Sequence, residues 1–233
     1  MTVYFSLISP LAGHEREAVH ERAHGPYADH QWLWRWFPAP DGSARDFLFR
    51  RHEVDGLTRF YVVSQREPQA LGGTWQVQTR DYEPWLEPGS RWQFELRANP
   101  VVRHERDGKS KRHDVVMNAK KILLAERGLQ HWNEWKGEGK PSMRDLAQNA
   151  CEKWLCQRAS GAGFDVAVED LSVEAYVQHK VKGGDRDLQF STVDLAGQLT
   201  VTDPQAFQRT LLNGLGAGKA FGCGLLLVKP VRD

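Results

Sequence analysis

Asp55-Gly56 joins two strand-like runs, residues 45–53 (RDFLFRRHE) and 58–64 (TRFYVVS), and this link constrains the fold more than any other local feature. A two-residue Asp-Gly link suits the tight turns that follow strand twist, so the two runs must be antiparallel neighbours in one sheet. Around that hairpin the elements fall in a definite order. Residues 2–8 (TVYFSLI) read as a strand closed by Ser9-Pro10. A helical stretch follows, interrupted at Gly25-Pro26, restarting near Tyr27 and ending at Phe37-Pro38, with Trp34 and Phe37 toward the core. After the hairpin, Gly72-Gly73 opens another strand (TWQVQTRDY), and Glu87-Pro88-Gly89 closes a first domain, residues 1–89. Strand, helix, strand, strand, a degenerate crossover and strand is the order of a ferredoxin-like βαββαβ unit.

A looser version of the same order follows. Residues 91–97 (RWQFELR) read as a strand, and residues 142–160 as a helix capped by Ser142 and stopped by Gly161-Ala162-Gly163. Residues 164–181 and 188–201 alternate like paired strands around Gly183-Gly184-Asp185, Asp203-Pro204 starts a helix through Leu212, and AFGCGLLLV reads as a glycine-broken strand. The expected fold class is α+β, with tandem ferredoxin-like (RRM-like) domains over residues 1–89 and 90–233.

Composition excludes several classes. With 40% apolar residues in 233 and only short apolar runs, the chain is a folded protein without a bilayer-spanning segment. Its amino terminus lacks the basic region of a signal peptide, so a cytoplasmic location and no membrane partner are expected. Cys151, Cys156 and Cys223 are odd in number, form no C-x-x-C pair and read as small core residues. The formal net charge is only +1, so nucleic-acid binding would need a local patch. Residues 103–121 (RHERDGKSKRHDVVMNAKK) supply one, read as a basic hairpin or long loop turning at Asp107-Gly108.

Three clusters could carry chemistry. His20-Glu21-Arg22-Ala23-His24 is a literal H-E-x-x-H, with His30 at the third-ligand spacing of the extended zinc-protease form. That chemistry needs a glycine at the bend occupied here by Tyr27, and Gly25-Pro26 breaks the chain just after His24. A solvated, charged helix face is the preferred reading of His20, Glu21 and His24, with a zinc hydrolase as the alternative. The second cluster is GLGAGKAFGCG, residues 214–224, whose main-chain N–H groups beside Lys219 suit a phosphate, although the glycine spacing is not that of a Walker loop. A plain glycine-capped helix-to-strand connection is its structural alternative. In the third, Tyr27, His30 and Gln31 share one helix face, so Tyr27 and His30 can reach one target.

Four segments in chain order carry a resemblance: residues 30–38 (HQWLWRWFP), 45–49 (RDFLF), 96–100 (LRANP) and 219–226 (KAFGCGLL). Together they resemble the H-Q-x-x-W-x-x-F-P, R-D-F-L-F, L-R-A-N-P and glycine-rich terminal motifs of the CasE-type endoribonuclease of type I-E CRISPR Cascade complexes. The resemblance implies an enzyme that cuts CRISPR precursor RNA at the base of the repeat hairpin without metal or other cofactor, keeps the product and joins the other Cascade subunits. Such cleavage uses the 2′-OH of the substrate and leaves a 2′,3′-cyclic phosphate and a 5′-OH. His30 is then the proton-transfer residue, as base or as acid, and Tyr27 positions the nucleophile or binds the phosphate. Arg103, Arg106, Lys109, Lys111 and Arg112, with Lys120 and Lys121 behind them, are the implied RNA contacts. Lys219 and the main chain at Gly222 and Gly224 are the implied phosphate contacts near the cut. A scaffold that has lost cleavage is a further alternative. The segment HEREAVHERAH departs from the family in length and has no assigned role.

Overall fold

The computed structural model describes residues 2–22, 26–106, 108–181 and 188–231; the side chains of Tyr27, Arg106 and Lys109, all of His24 and the Gly183-Gly184-Asp185 turn lie outside the described residues. The class is α+β, in two compact units: Met1–Leu86 with Gln208–Leu226, and Glu87–Phe207 with Leu227–Asp233.

The first unit contains β1 (Tyr4–Pro10), α1 (Glu15–Glu21), α2 (Pro26–Leu33) running into a 3-10 turn at Trp34–Trp36, β2 (Phe47–Val54), β3 (Leu57–Ser64) and β4 (Trp75–Asp81). Its sheet order is β2-β3-β1-β4, with every neighbouring pair antiparallel. Asp55 and Gly56 take φ of 52° and 74°, the left-handed pair that a primed two-residue turn requires, and this sets Val54 opposite Leu57. Strand β1 runs two residues further than its Ser-Pro punctuation suggests. Pro10 pairs with Trp75 beyond Ile8, the last residue of β1 matched to β3, so its missing N–H removes no bond on that side.

One sheet face presents Ile8, Phe47, Phe49, Phe60, Val62 and Trp75 to Ala18 of α1 and to Trp32, Leu33, Trp36 and Phe37. At about 1.5–3 kcal/mol for each large apolar side chain removed from water, this aromatic layer is what holds α2 to the sheet. Phe37 is buried as expected, but Trp34 only packs at the margin, and Leu33 and Trp36 take the deepest positions. Between β3 and β4 the crossover is a loop, tied by the Gln69 N–H to the Trp36 carbonyl at 2.8 Å.

The second unit contains β5 (Arg91–Ala98), β6 (Val101–Arg106), β7 (Lys109–Asp114), α3 (Val115–Glu126), α4 (Met143–Ala162), β8 (Phe164–Val166), a 3-10 turn at Val168–Asp170, β9 (Ser172–Val181) and β10 (Leu188–Val201). Helix α5 (Pro204–Asn213) leads out of it, and β11 (Leu226–Pro230) returns to it. Strand order is β11-β5-β10-β8, with β9 continuing beside β10 where β8 leaves off. Ser142 caps α4 by accepting the Asp145 N–H at 3.0 Å, and Gly163 ends it at φ 84°. The stop is later than expected, since Gly161 and Ala162 are still helical.

Two further corrections concern the basic and glycine-rich segments. The hairpin ends at Asp114, whose carboxylate accepts the Met117 N–H at 2.8 Å and starts α3, so Lys120 and Lys121 stand on a helix. The segment AFGCGLLLV is not one broken strand. Lys219–Phe221 form a 3-10 turn and the strand begins only at Leu226, because Gly222 and Gly224 at φ 75° and 93° cannot lie in an extended ladder. Of the cysteines, Cys151 and Cys223 are buried, but Cys156 is exposed and so is not a core residue.

Candidate functional site

Helix α2 is locked in place from the residue before His30. Asp29 is 1% exposed and sits between Arg51 Nη1, at 3.2 Å from Oδ2, and Arg22 Nη2, at 3.3 Å from Oδ1. Burial pushes its carboxyl up, against the opposing pull of Arg51 and Arg22. The clamp joins α2 to β2 and to the end of α1, and so fixes the rotation of the helix that carries His30.

The His30 imidazole is half-buried in an aromatic cradle. Phe49 lies nearly parallel to it, at 6.4 Å between centroids and 15° between planes, with Phe47 and Trp34 each at 6.2 Å. Its Nε2 is buried and has no hydrogen-bond partner, an arrangement that a native fold rarely keeps without a use. Burial, and then repulsion from Arg45, hold its pKa below the ordinary imidazole range, so the ring is neutral at pH 7 and able to accept a proton. Tyr27 stands in the first turn of α2, three residues before His30.

The glycine-rich segment belongs to the same unit, and its 3-10 turn packs against α2. Lys219 is half-buried there, and burial and then Arg45 push its ammonium pKa down. The loop is less open than its composition suggests. The Gly222 N–H donates to the Lys219 carbonyl at 3.4 Å and the Cys223 N–H to the Gly218 carbonyl at 3.3 Å, so left-handed glycines fold the loop back on its own donors. The Gly224 carbonyl accepts the Leu215 N–H at 2.9 Å. What these glycines supply is close approach. A Cβ on Gly222 would sit 3.2 Å from the Phe49 ring, the ring that stacks on His30, and one on Gly224 would sit 2.9 Å from the Leu215 carbonyl oxygen.

Arg45 escaped selection as a site residue because in the sequence it is one arginine among many. Its guanidinium carbon lies 6.0 Å from the Phe47 centroid, and burial lowers its pKa. Only its electrostatic coupling to both His30 and Lys219 marks it out.

In the second unit the basic segment is a regular hairpin. Its register sets Arg103 opposite Arg112, His104 opposite Lys111 and Arg106 opposite Lys109. Arg103 and Arg112, like charges directly opposite, disfavour the bare hairpin and favour one that meets an anion. Arg103, Lys111 and Arg112 are exposed. On α3, Lys121 is exposed, but Lys120 is half-buried with its ammonium 5.2 Å from the Trp132 ring.

In the H-E-x-x-H segment Glu21 departs from its expected role, while His20 is exposed as a solvated helix face requires. Glu21 is only partly solvated and is engaged inward: Oε1 accepts the Trp32 indole N–H at 2.8 Å and Oε2 that of Trp75 at 2.9 Å. With both oxygens engaged it is not a free base for a metal-bound water, and His20 points to solvent. Among the described residues no group of three His, Cys, Asp or Glu is placed to hold a metal ion, and no helix is long and apolar enough to cross a membrane.

Comparison with known proteins adds the context. The family described as "CRISPR associated protein" matches residues 3–230. The chain is 28% identical over 208 residues to "CRISPR system Cascade subunit CasE" of Escherichia coli (strain K12), covering 88% of this chain and 92% of that one. It is 31% identical over 153 residues to "CRISPR-associated endoribonuclease Cse3" of Thermus thermophilus, covering 65% of this chain and 61% of that one. Among solved structures, Thermus thermophilus Cse3 bound to an RNA representing a pre-cleavage complex has a TM-score of 0.69 at 24% identity, covering 99% of this chain and 100% of that one, a likeness of fold.

Proposed function

This chain belongs to the CRISPR associated protein family, and from that premise we propose that it is a metal-independent endoribonuclease that cuts CRISPR precursor RNA at the base of the repeat hairpin. It retains the mature RNA and works in the cytoplasm as part of the Cascade assembly with other subunits. The sheet orders support reading each unit as a ferredoxin-like βαββαβ domain, tandem along the chain. The observation that supports the chemical reading is a neutral, half-buried His30 on a helix, α2, that packs against the Lys219–Phe221 turn within one unit.

Cleavage needs no external nucleophile. The 2′-oxygen of the substrate attacks the adjacent phosphorus, the P–O5′ bond breaks, and the products are a 2′,3′-cyclic phosphate and a 5′-OH, with no net water consumed. The proton leaving the 2′-OH goes to a base, and the departing 5′-oxygen takes one up. Neutral His30 accepts the first, and as imidazolium it can supply the second. Tyr27 positions the 2′-OH from the first turn of α2, and Lys219 offsets charge on the phosphate, brought close by Gly222 and Gly224. Arg103, Arg106, Lys109, Lys111 and Arg112 of the hairpin, with Lys120 and Lys121 behind them, hold the phosphates and groove of the RNA hairpin.

The test is incubation of wild type and His30→Ala with a labelled cognate repeat hairpin in EDTA, reading binding and product ends. Cleavage to a cyclic phosphate by wild type, with binding but no cleavage by the variant, is expected. Tight binding without wild-type cleavage would indicate a scaffold, and cleavage that EDTA abolishes would overturn the metal-free scheme.

A further inference from the structure

The aromatic cradle of His30 also seats a cation that the mechanism above leaves without a task. We propose that Arg45 is the anion clamp of this site, its guanidinium donating to a non-bridging oxygen of the phosphate being cut; the assignment rests on the nuclease reading and adds a residue to it.

Three observations converge. The first is position: the Phe47 ring lies 6.0 Å from the Arg45 guanidinium carbon and 6.2 Å from the His30 ring, so both groups border one side chain. The second is the absence of a counter-charge. The adjacent carboxylate, Asp46, gives both oxygens to Arg66, and among the described residues no carboxylate pairs with Arg45 or Lys219. The third is electrostatic: beyond burial, the charge of Arg45 also lowers the proton affinity of both His30 and Lys219. A half-buried guanidinium that repels two other proton-binding groups and has no carboxylate to neutralise it is unfavourable for the empty protein, and a dianionic phosphorane turns that repulsion into attraction.

Arginine suits this task and no other in the reaction. Its guanidinium stays protonated throughout, so it cannot move the protons assigned to His30, but its planar fork can donate to phosphate oxygens as charge builds on them. As the 2′-O–P bond forms and the P–O5′ bond breaks, the non-bridging oxygens carry the extra charge, and a donor already in place strengthens most at that stage.

The experiment compares wild type, Arg45→Gln and Arg45→Lys by single-turnover cleavage of the repeat hairpin at saturating protein, by hairpin Kd, and by following the His30 ring resonances during titration with inorganic phosphate. For R45Q we expect cleavage slower by about 100-fold or more with Kd within about ten-fold of wild type, and loss of the phosphate response of His30. R45K, which keeps the charge and the fold but loses the fork, should cut at least about ten-fold slower than wild type. Wild-type cleavage by either variant, or an unchanged phosphate response in R45Q, would overturn the clamp while leaving the nuclease reading intact. A phosphate response that depends on Arg45 in a wild-type protein that cuts no RNA would do the reverse, keeping the anion site and removing the nuclease reading.

Discussion

Arg66 holds both carboxylate oxygens of Asp46, Oδ2 through Nε at 2.5 Å and Oδ1 through Nη2 at 3.1 Å. The same guanidinium donates to the carbonyls of Pro38 and Phe37, at 2.7 and 3.2 Å, and so ties the end of the His30-bearing segment to the entrance of β2. Replacing Arg66 by Ala releases a carboxylate next to Arg45. We expect a loss of about 1 kcal/mol in stability, kept small because the side chain is 40% exposed. We also expect slower RNA cleavage, as the freed Asp46 offsets the positive field of the site. Thermal melts and single-turnover rates check this, and an unchanged rate with lowered stability would confine Arg66 to a structural role.

Glu21 is predicted to be a structural acceptor. Its removal leaves the indole N–H groups of Trp32 and Trp75 unpaired while these side chains are only 6% and 5% exposed. Glu21→Ala should therefore lose about 2–3 kcal/mol, and Glu21→Gln, which keeps one acceptor, clearly less. Urea unfolding followed by tryptophan fluorescence measures both. A zinc-dependent loss of activity in E21Q at wild-type stability would instead restore the hydrolase reading.

Gly222→Ala joins two penalties, a Cβ at φ 75° and contact with the Phe49 ring at 3.2 Å. The left-handed backbone alone costs about 1–2 kcal/mol. Because Phe49 stacks on His30, the variant should also cut RNA more slowly while its hairpin Kd stays near wild type. An equal fall in binding and rate would place the effect outside the His30 cradle.

The depressed pKa of His30 has a sign that can be tested through stability. Burial and Arg45 keep the folded imidazole below its unfolded value of about 6.5, so in the window beneath that value the unfolded chain binds more protons. Stability then rises with pH and is lost as the pH falls through that window. Urea midpoints between about pH 7.5 and 5 should drop more for wild type than for His30→Gln. Parallel profiles would show that His30 titrates alike in both states.

On the hairpin, exposed Lys111 faces His104 across the strands and should act as a phosphate contact. Lys111→Ala is expected to weaken RNA binding and to reduce the slope of log K against log salt by about 0.7–0.9. A wild-type slope in the variant would remove Lys111 from the interface.

Features that depend on neighbours within a few residues were legible in the chain itself. The Asp55-Gly56 turn, the Ser142 cap and the Gly163 stop follow from φ preferences and short hydrogen bonds, and the strands of the first unit from strand-forming runs bounded by turn residues. Helix α3 is hard to read from the chain although Asp114 caps it, because its apolar positions Val115, Val116 and Leu124 are set among basic residues. His30 was named from a motif, whereas its neutral, half-buried state is a product of Phe47, Phe49 and Arg45 closing over it.

Residue types and their spacing thus determined the order of elements, the α+β class and the list of groups able to bind or move protons. Tertiary structure alone decided which of these groups lie within reach of one another. Glu21 meets an indole 54 positions away, and Arg45 couples to Lys219 far along the chain. Burial and electrostatic coupling act through space, and only the folded sheet brings such distant residues within their range.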